Sequence, residues 1–341
     1  MDKIKVMLYG VGVISSLIAR NLLEKEGVEI SCAVDIAADK VNKDLGEVLQ
    51  INRKLGVRIS KDLDGALSTA EADIAVHATS SMLRSTFPQI SSIVRRRVNV
   101  ISTCEELVYP YRTEPGIAEE LNMLAQKNDV SILGSGINPG FLMDTLVIAL
   151  TAPCQKIEKI SVKRVMNAAT RRLPFQKKIG TGSSVSEFES KIRRKKISGH
   201  VGLEQSIAMV ADALQWKLDS IQVEEPEPIT LKKSVESREM KIEAGRIAGL
   251  KQVASGIIKG RQLITLDFQA YVGAAEEYDE VTIEGVPPIK QRIQPCVHGD
   301  IGTVAMIVNN IPRVIKASPG LLTMRNLPIP SAVLGDMRLY V

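Results

Sequence analysis

The chain has 341 residues, 45% of them hydrophobic, enough to bury two cores rather than one. A formal charge of +5 with only 4% aromatic residues disfavours a nucleic-acid surface, and the basic clusters Arg95–Arg97, Arg171-Arg172 and Arg193–Lys196 read as solvated faces. Cys32, Cys104, Cys154 and Cys296 form no C-x-x-C pair for zinc or a disulfide framework, and no stretch approaches the ~20 apolar residues of a membrane span.

With no metal, no membrane and no nucleic acid implied, and with a strand entered directly rather than through a charged leader, the expectation is a soluble protein of the reducing cytoplasm. The first strand, Lys3–Tyr9, breaks into Gly10-Val-Gly12-Val-Ile-Ser15 and then an amphipathic helix. That is a dinucleotide-binding opening. Gly10 allows a tight strand-to-helix turn, and Gly12 lets the backbone approach a pyrophosphate on the helix N-terminus, where free N–H groups favour an anion. Gly10, Gly12, Val13 and Ile14 are the expected contacts, and Ser15 stands where Gly or Ala gives the closest helix–strand packing. A second strand, Val28–Asp35, ends in a carboxylate about 20–25 residues beyond the turn, placed to bind the adenosine ribose hydroxyls and repel a 2′-phosphate. Asp35 therefore predicts NAD over NADP. Lys40, a nearby cation, would soften that preference.

A continuous apolar strand, Asp73–Thr79, follows, with Thr79 and Ser80 above the carboxyl edge where ligands of open α/β sheets lie. His77, inside it, reads as a packed, hydrogen-bonded histidine. A helix over 82–97 contains Pro88; strand 98–103 then runs into Cys104-Glu105-Glu106, two carboxylates at the ligand edge. A helix over 115–127, strand 130–134 and the turn Gly134-Ser-Gly136-Ile-Asn138-Pro-Gly140 come next, opening a helix over 141–150. Strand–helix alternation then stops. Longer strands, 157–165, 249–258 and 262–271, with two helices between the first and second, predict a mixed α+β domain. Ser184-x-x-Glu187 is a capping box, the second helix spans 203–218, and a helix from Gly299 is expected to end at Pro312.

Five ordered motifs, Gly10-x-Gly12, Ser102-Thr-Cys-Glu-Glu-Leu-Val-Tyr-Pro110, Gly134–Gly140, Gly199-His-Val-Gly202 and Gly302-Thr-Val-Ala-Met306, resemble the 2,4-diaminopentanoate dehydrogenase family nearly end to end. The closing Pro319-Gly-Leu and Gly335-Asp-Met-Arg338 fit the same family. The resemblance implies a dihydrodipicolinate-reductase-like α/β fold. Residues 1–140 would form a Rossmann domain with a doubly wound parallel sheet. Residues 141–300 would form a substrate-binding and dimerisation domain with an open mixed sheet, and 301–341 a helical segment packing back on the Rossmann domain. It also implies a homodimer and NAD(P)-dependent oxidative deamination of 2,4-diaminopentanoate, as in ornithine fermentation. Glu105 or Glu106 would accept the amine proton, hold the iminium by charge and deprotonate the attacking water, with Glu105 the slightly preferred member. Gly136 would border the nicotinamide, and Asn138 its carboxamide or the substrate amine. Arg164, whose planar fork suits a carboxylate, and His200 would hold the substrate's amino-acid end. Two residues after Arg164, where the family carries Asn, this chain has Met166, with Asn167 one place later.

Three other readings compete. A dihydrodipicolinate reductase proper would carry a His-His pair and a lysine-bearing signature, absent from a chain with three histidines. An amine dehydrogenase or imine reductase of the same architecture would keep the Glu pair without a carboxylate clamp. A non-catalytic dinucleotide sensor would need neither.

Overall fold

A parallel sheet covered on both faces needs strands apolar at every position, and the first six strands approach that pattern. They are β1 (Ile4–Tyr9), β2 (Val28–Val34), β3 (Ile59–Ser60), β4 (Ile74–His77), β5 (Asn99–Ser102) and β6 (Ser131–Gly134). Every residue of β4 and β6 is buried. All neighbouring pairs are parallel, in the order β6-β5-β4-β1-β2-β3. This is the strand order of a doubly wound dinucleotide-binding sheet. The connecting helices are α1 (Val13–Leu22), α2 (Leu45–Val48), α3 (Leu63–Leu67), α4 (Leu83–Arg95) and α5 (Pro115–Asn128). Leu83, Ile90, Ile93 and Val94 of α4 and Ala118, Leu121 and Ala125 of α5 pack with Met7, Ala75, Val100 and Ile132 of the strands in one core.

The computed structural model describes residues 2–171, 173–194, 197, 199–237 and 239–341. By contacts the chain divides into two units, Met1–Phe141 with Gly299–Val341, and Leu142–His298. The second unit opens with α6 (Thr145–Thr151), four residues later than the sequence suggests, because 138–144 remain in turns and Asp144 caps the helix by accepting from Thr145 N. It continues through β7 (Lys156–Asn167), α7 (Leu173–Lys178), α8 (Val185–Arg193), α9 (Leu203–Ala213), β8 (Ser220–Val223) and β9 (Glu227–Thr230). A small hairpin, β10 (Val235–Glu236) with β11 (Lys241–Ile242), precedes β12 (Ile247–Ile258), β13 (Arg261–Tyr271), β14 (Tyr278–Val286) and β15 (Ile289–Ile293). The main sheet runs β15-β14-β7-β13-β12-β8, with β9 also paired to β12. Only β7 and β13 are parallel among these pairs, so the sheet is mixed. Alternate residues of its strands, including Ile160, Val162 and Met166 of β7 and Ile264, Leu266 and Phe268 of β13, form its core with Ile207 and Val210 of α9.

The chain then returns to the first unit. Helix α10 (Gly299–Lys316) passes through Pro312, which does not end it, and β16 (Gly320–Leu322) adds a seventh parallel strand beside β6. Residues 301–341 thus supply a strand as well as helix. The basic clusters differ from a uniformly solvated picture. Arg95–Arg97, Arg193 and Arg194 are exposed, whereas Arg171 is buried, its guanidinium 4.5 Å over the Phe175 ring. Arg172, Lys195 and Lys196 lie outside the described residues.

Candidate active site

At the carboxyl end of β1, Gly10 has φ +86°, and a Cβ there would lie 2.7 Å from Ala78 O and 2.9 Å from Thr79 Cγ2. Only glycine meets both demands. Gly12 caps α1 without a side-chain hydrogen bond, and a Cβ on it would meet nothing within 4 Å. The space before the first amides of α1 is open. Val13, at the first helical position, is 55% exposed, an apolar face beside those amides, while Ile14 is half-buried. Ser15 is buried, and its Oγ has no hydrogen-bond partner among the described residues.

Asp35, just past β2, faces this turn. Its Oδ2 accepts from Val11 N at 2.8 Å and from Lys40 Nζ at 3.1 Å, and its Oδ1 accepts from Ala37 N at 2.8 Å. Burial alone would raise the carboxyl, but the Ala37 and Val11 amides and Lys40 outweigh it and hold Asp35 below its ordinary value. A carboxylate oxygen has room for a second donor, so Oδ1 can still take a ribose hydroxyl. Lys40 Nζ also donates to Val11 O at 3.0 Å, tying the Asp35 segment to the glycine turn.

The two carboxylates after β5 differ. They sit on a 3-10 turn, Glu105–Val108, both half-buried. Helix α4 begins after Met82, which has no capping side chain, and Leu83 N donates instead to Glu106 Oε2 at 2.6 Å. Glu106 is therefore the surrogate cap of α4, an anion where the helix dipole favours one. Glu105 has no donor or cation on its carboxylate among the described residues. Burial pushes the neighbouring Cys104 thiol up to about 11, so it is not a thiolate nucleophile.

The Gly134–Gly140 turn closes against the same 3-10 turn. A Cβ on Gly134 would lie 2.5 Å from Leu107 C, and one on Gly140, at φ +122°, 2.5 Å from Gly136 N. Gly136 is buried and Asn138 half-buried; Ile137 N reaches Thr303 Oγ1 of α10 at 3.4 Å. Thr79 and Ser80 stand at the end of β4, but both hydroxyls are engaged. Thr79 Oγ1 donates to Gln89 Oε1 at 2.7 Å, turning its methyl toward Gly10, and Ser80 Oγ accepts from Met82 N at 3.2 Å. A concavity of about 870 Å³ lined by Lys3, Lys5, Lys25 and Arg53 lies at the amino ends of β1 and β2, away from these residues.

In the second unit Arg164 and His200 share one face of the sheet. Arg164 pairs in register with Phe268 of β13 and Asp279 of β14, and the His200 ring stacks on Phe268 at 4.4 Å. The guanidinium expected to clamp a carboxylate is engaged within the unit: Nη1 donates to Asp279 Oδ1 and Nη2 to Val297 O, each at 2.5 Å. Burial raises the Asp279 carboxyl, with Arg164 and the Val297 amide partly opposing that shift. His200 is half-buried as a residue but its ring is enclosed. Burial first, then the charges of Lys178 and Arg164, push it down to about 3, so it is neutral. Asn167 is also structural, its Oδ1 accepting from Ala169 N and Gly273 N. The capping role of Glu106 and the Asp279 partner of Arg164 have no local sequence signal, since the contacts cross 23 and 115 positions.

Known proteins match this arrangement along the whole chain. Residues 141–341 fit the 2,4-diaminopentanoate dehydrogenase C-terminal domain, and residues 4–104 the dihydrodipicolinate reductase N-terminus. The 2,4-diaminopentanoate dehydrogenase of Acetoanaerobium sticklandii is 37% identical over 99% of this chain and 97% of its own length. An amine dehydrogenase of Streptomyces virginiae is 24% identical over 97% of this chain and 98% of its own. The structure of an amine dehydrogenase from Mycobacterium smegmatis superposes with a TM-score of 0.84 at 26% identity, covering 97% of this chain and 98% of that one. With two thirds or more of each sequence aligned at this identity, and its own domain model matched, the chain belongs to the 2,4-diaminopentanoate dehydrogenase family.

Proposed function

We propose that the protein catalyses NAD(P)-dependent oxidative deamination of 2,4-diaminopentanoate to 2-amino-4-oxopentanoate and ammonia. The observation that carries the reading is the unpartnered Glu105 carboxylate on a turn packed against Gly134, in a chain 37% identical to a 2,4-diaminopentanoate dehydrogenase. The open approach to Gly12 and the spare acceptor capacity of Asp35 fit a dinucleotide, whose nicotinamide would supply the hydride acceptor. Gly10, Gly12, Val13 and Ile14 would line its pyrophosphate and Asp35 its ribose. Gly136 and Asn138 would border the nicotinamide, and the methyl of Thr79 would support the glycine turn.

Glu105 would take a proton from the substrate ammonium and release it to solvent, returning to its carboxylate form, while the freed nitrogen lone pair lets hydride leave the carbon that bears the amine. Its negative charge would then stabilise the resulting iminium. It would next accept a proton from the water attacking that carbon and pass it to the carbinolamine nitrogen, so that the carbinolamine collapses to ketone and ammonia. Glu106 would orient this turn by its hold on α4. Residues 1–140 would serve as the dinucleotide domain, 141–300 as the substrate and dimerisation domain of a cytoplasmic homodimer, and 301–341 as the segment completing the first domain. His200, neutral, would accept or donate a hydrogen bond to the substrate's amino-acid end, and Arg164 would shape that wall through Asp279.

The engagement of Arg164 by Asp279 favours a second reading, an amine dehydrogenase or imine reductase acting on an amine without a carboxylate. One panel separates them. NADH formation and ammonia release are measured with 2,4-diaminopentanoate, ornithine, 3,5-diaminohexanoate and simple alkyl amines. A kcat/KM on 2,4-diaminopentanoate at least ~10-fold above every other amine supports the first reading; turnover of simple amines alone overturns it.

A further inference from the structure

We propose that His77 is the positioning residue that couples the dinucleotide turn to the Glu105 turn, through a hydrogen-bond relay that runs from the exposed Thr79 and half-buried Gln89 to the buried imidazole and the buried Ser102. The inference rests on the dehydrogenase reading above. His77, fully buried in β4, lies with Nε2 2.8 Å from Gln89 Oε1 of α4 and Nδ1 2.9 Å from Ser102 Oγ of β5. Thr79 Oγ1 is 2.7 Å from the same Gln89 Oε1 and 3.1 Å from Nε2. Ser102 Oγ accepts from Cys104 N at 3.1 Å.

One assignment satisfies every group. Gln89 Oε1 can only accept, so His77 Nε2–H and Thr79 Oγ1–H both donate to it. Nδ1 is then an acceptor and takes the Ser102 hydroxyl proton, leaving a Ser102 lone pair for Cys104 N–H. Turning the Gln89 amide over would make Nδ1 a donor; Ser102, also buried, would then receive two protons and have no acceptor for its own among the described residues. Among the described residues no ionised group acts on the ring, which stacks on Tyr9 at 5.5 Å.

The two arms end at different parts of the site. Through Gln89 the relay fixes the Thr79 rotamer, whose methyl lies 2.9 Å from where a Gly10 Cβ would be. Through Ser102 it fixes the Cys104 amide, where the 3-10 turn bearing Glu105 begins. His77 touches neither substrate nor dinucleotide; it sets where their walls stand. Displacing reacting groups by ~1 Å can slow a reaction by about 10²-fold, so either arm has kinetic leverage.

Two conservative variants cut one arm each. In His77→Asn the amide reaches only as far as Nδ1, keeping an acceptor for Ser102 and losing the Gln89 arm. In His77→Gln the amide reaches the Nε2 position, keeping a donor to Gln89 and losing the Ser102 arm. NADH dissociation constants are read by fluorescence, kcat at saturating substrate, and folding by thermal melting. We expect His77→Asn to weaken NADH binding by about 10-fold with kcat within about 3-fold of the parent, and His77→Gln to do the reverse. If both variants lower kcat and NADH affinity in the same proportion, tracking Tm alone, His77 is merely structural and the proposal is overturned; unchanged values in both overturn it equally. Failure of the dehydrogenase reading is distinguishable, because the parent protein would then not oxidise the amine before any variant is compared.

Discussion

Replacing each member of the Glu105–Glu106 pair by glutamine separates chemistry from capping. Glu105→Gln removes a carboxylate that bonds to no other described group, so folding should be unchanged within about 0.5 kcal/mol, the range for substitutions away from structural partners. If Glu105 moves the protons, kcat should fall by about 10²–10⁴, the contribution of a positioned general acid–base. Glu106→Gln keeps an acceptor 2.6 Å from Leu83 N but removes its charge. A hydrogen bond to a charged group contributes about 1.5–3 kcal/mol against about 0.5–1.5 for a neutral one, so the loss is about 1 kcal/mol. In a domain of 150–250 residues that lowers Tm by roughly 2–4 °C, while kcat should stay within about 5-fold. Initial rates of NADH formation at saturating substrate, beside thermal melts of the same preparations, read both effects. A Glu105→Gln protein with full activity, or a Glu106→Gln protein equally dead at unchanged Tm, would refute the division of roles.

Three further outcomes follow from the geometry. His77 is held by burial at about 4, below the ordinary histidine value of about 6.5. Below pH 6.5 the unfolded chain binds a proton that the folded one refuses, so this contribution is present above pH 6.5 and is lost, by roughly 3 kcal/mol, as the pH falls to 4. Urea titrations at pH 7, 5 and 4 should show His77→Gln losing stability less steeply than the parent; identical slopes would contradict the assignment. Ser15→Ala deletes a buried hydroxyl with no partner among the described residues and should raise the urea midpoint, by about 1 kcal/mol of stability; a lowered midpoint would contradict this. Arg164→Met leaves Asp279 buried without its cation and should cost about 3–5 kcal/mol, while adding Asp279→Leu should recover at least half of that. A double variant no better than the single would show that the ion pair is not the reason for the loss.

The parallel sheet was legible because strands buried on both faces leave uninterrupted apolar runs, as in Asp73–Thr79, and because Gly10, at positive φ against Ala78 and Thr79, marks a turn that only glycine makes. Strands β14 and β15 were not, since their outer faces carry Glu280, Glu284, Lys290 and Arg292, which mute the apolar signal of a one-sided strand. Pro312 misled as a helix terminator. It removes only its own N–H, and α10 carries on to Lys316 with Arg313 Nη1 donating to Asn309 O. At the site, residue types could be read but allegiance could not. Nothing local says that Glu106 caps a helix begun 23 residues earlier, that Thr79 bonds Gln89, or that Arg164 has Asp279 as its partner. Such contacts are set by which strands become neighbours.

Strand β16 and helix α10 complete a sheet whose other strands were synthesised more than 180 positions earlier, as the pairing of Leu321 with Ile132 shows. On the ribosome, the unbroken stretch Leu142–His298 can close its own core as soon as it emerges, but the first unit cannot. Until the tail arrives, β6 is a bare edge of four residues whose outer hydrogen-bonding groups have no partner, and such an edge invites pairing with another nascent chain. A fragment stopping at Phe141 should therefore aggregate, and a circular permutant that joins Val341 to the start and begins at Leu142 should fold with fewer such encounters, its first unit made in one continuous stretch.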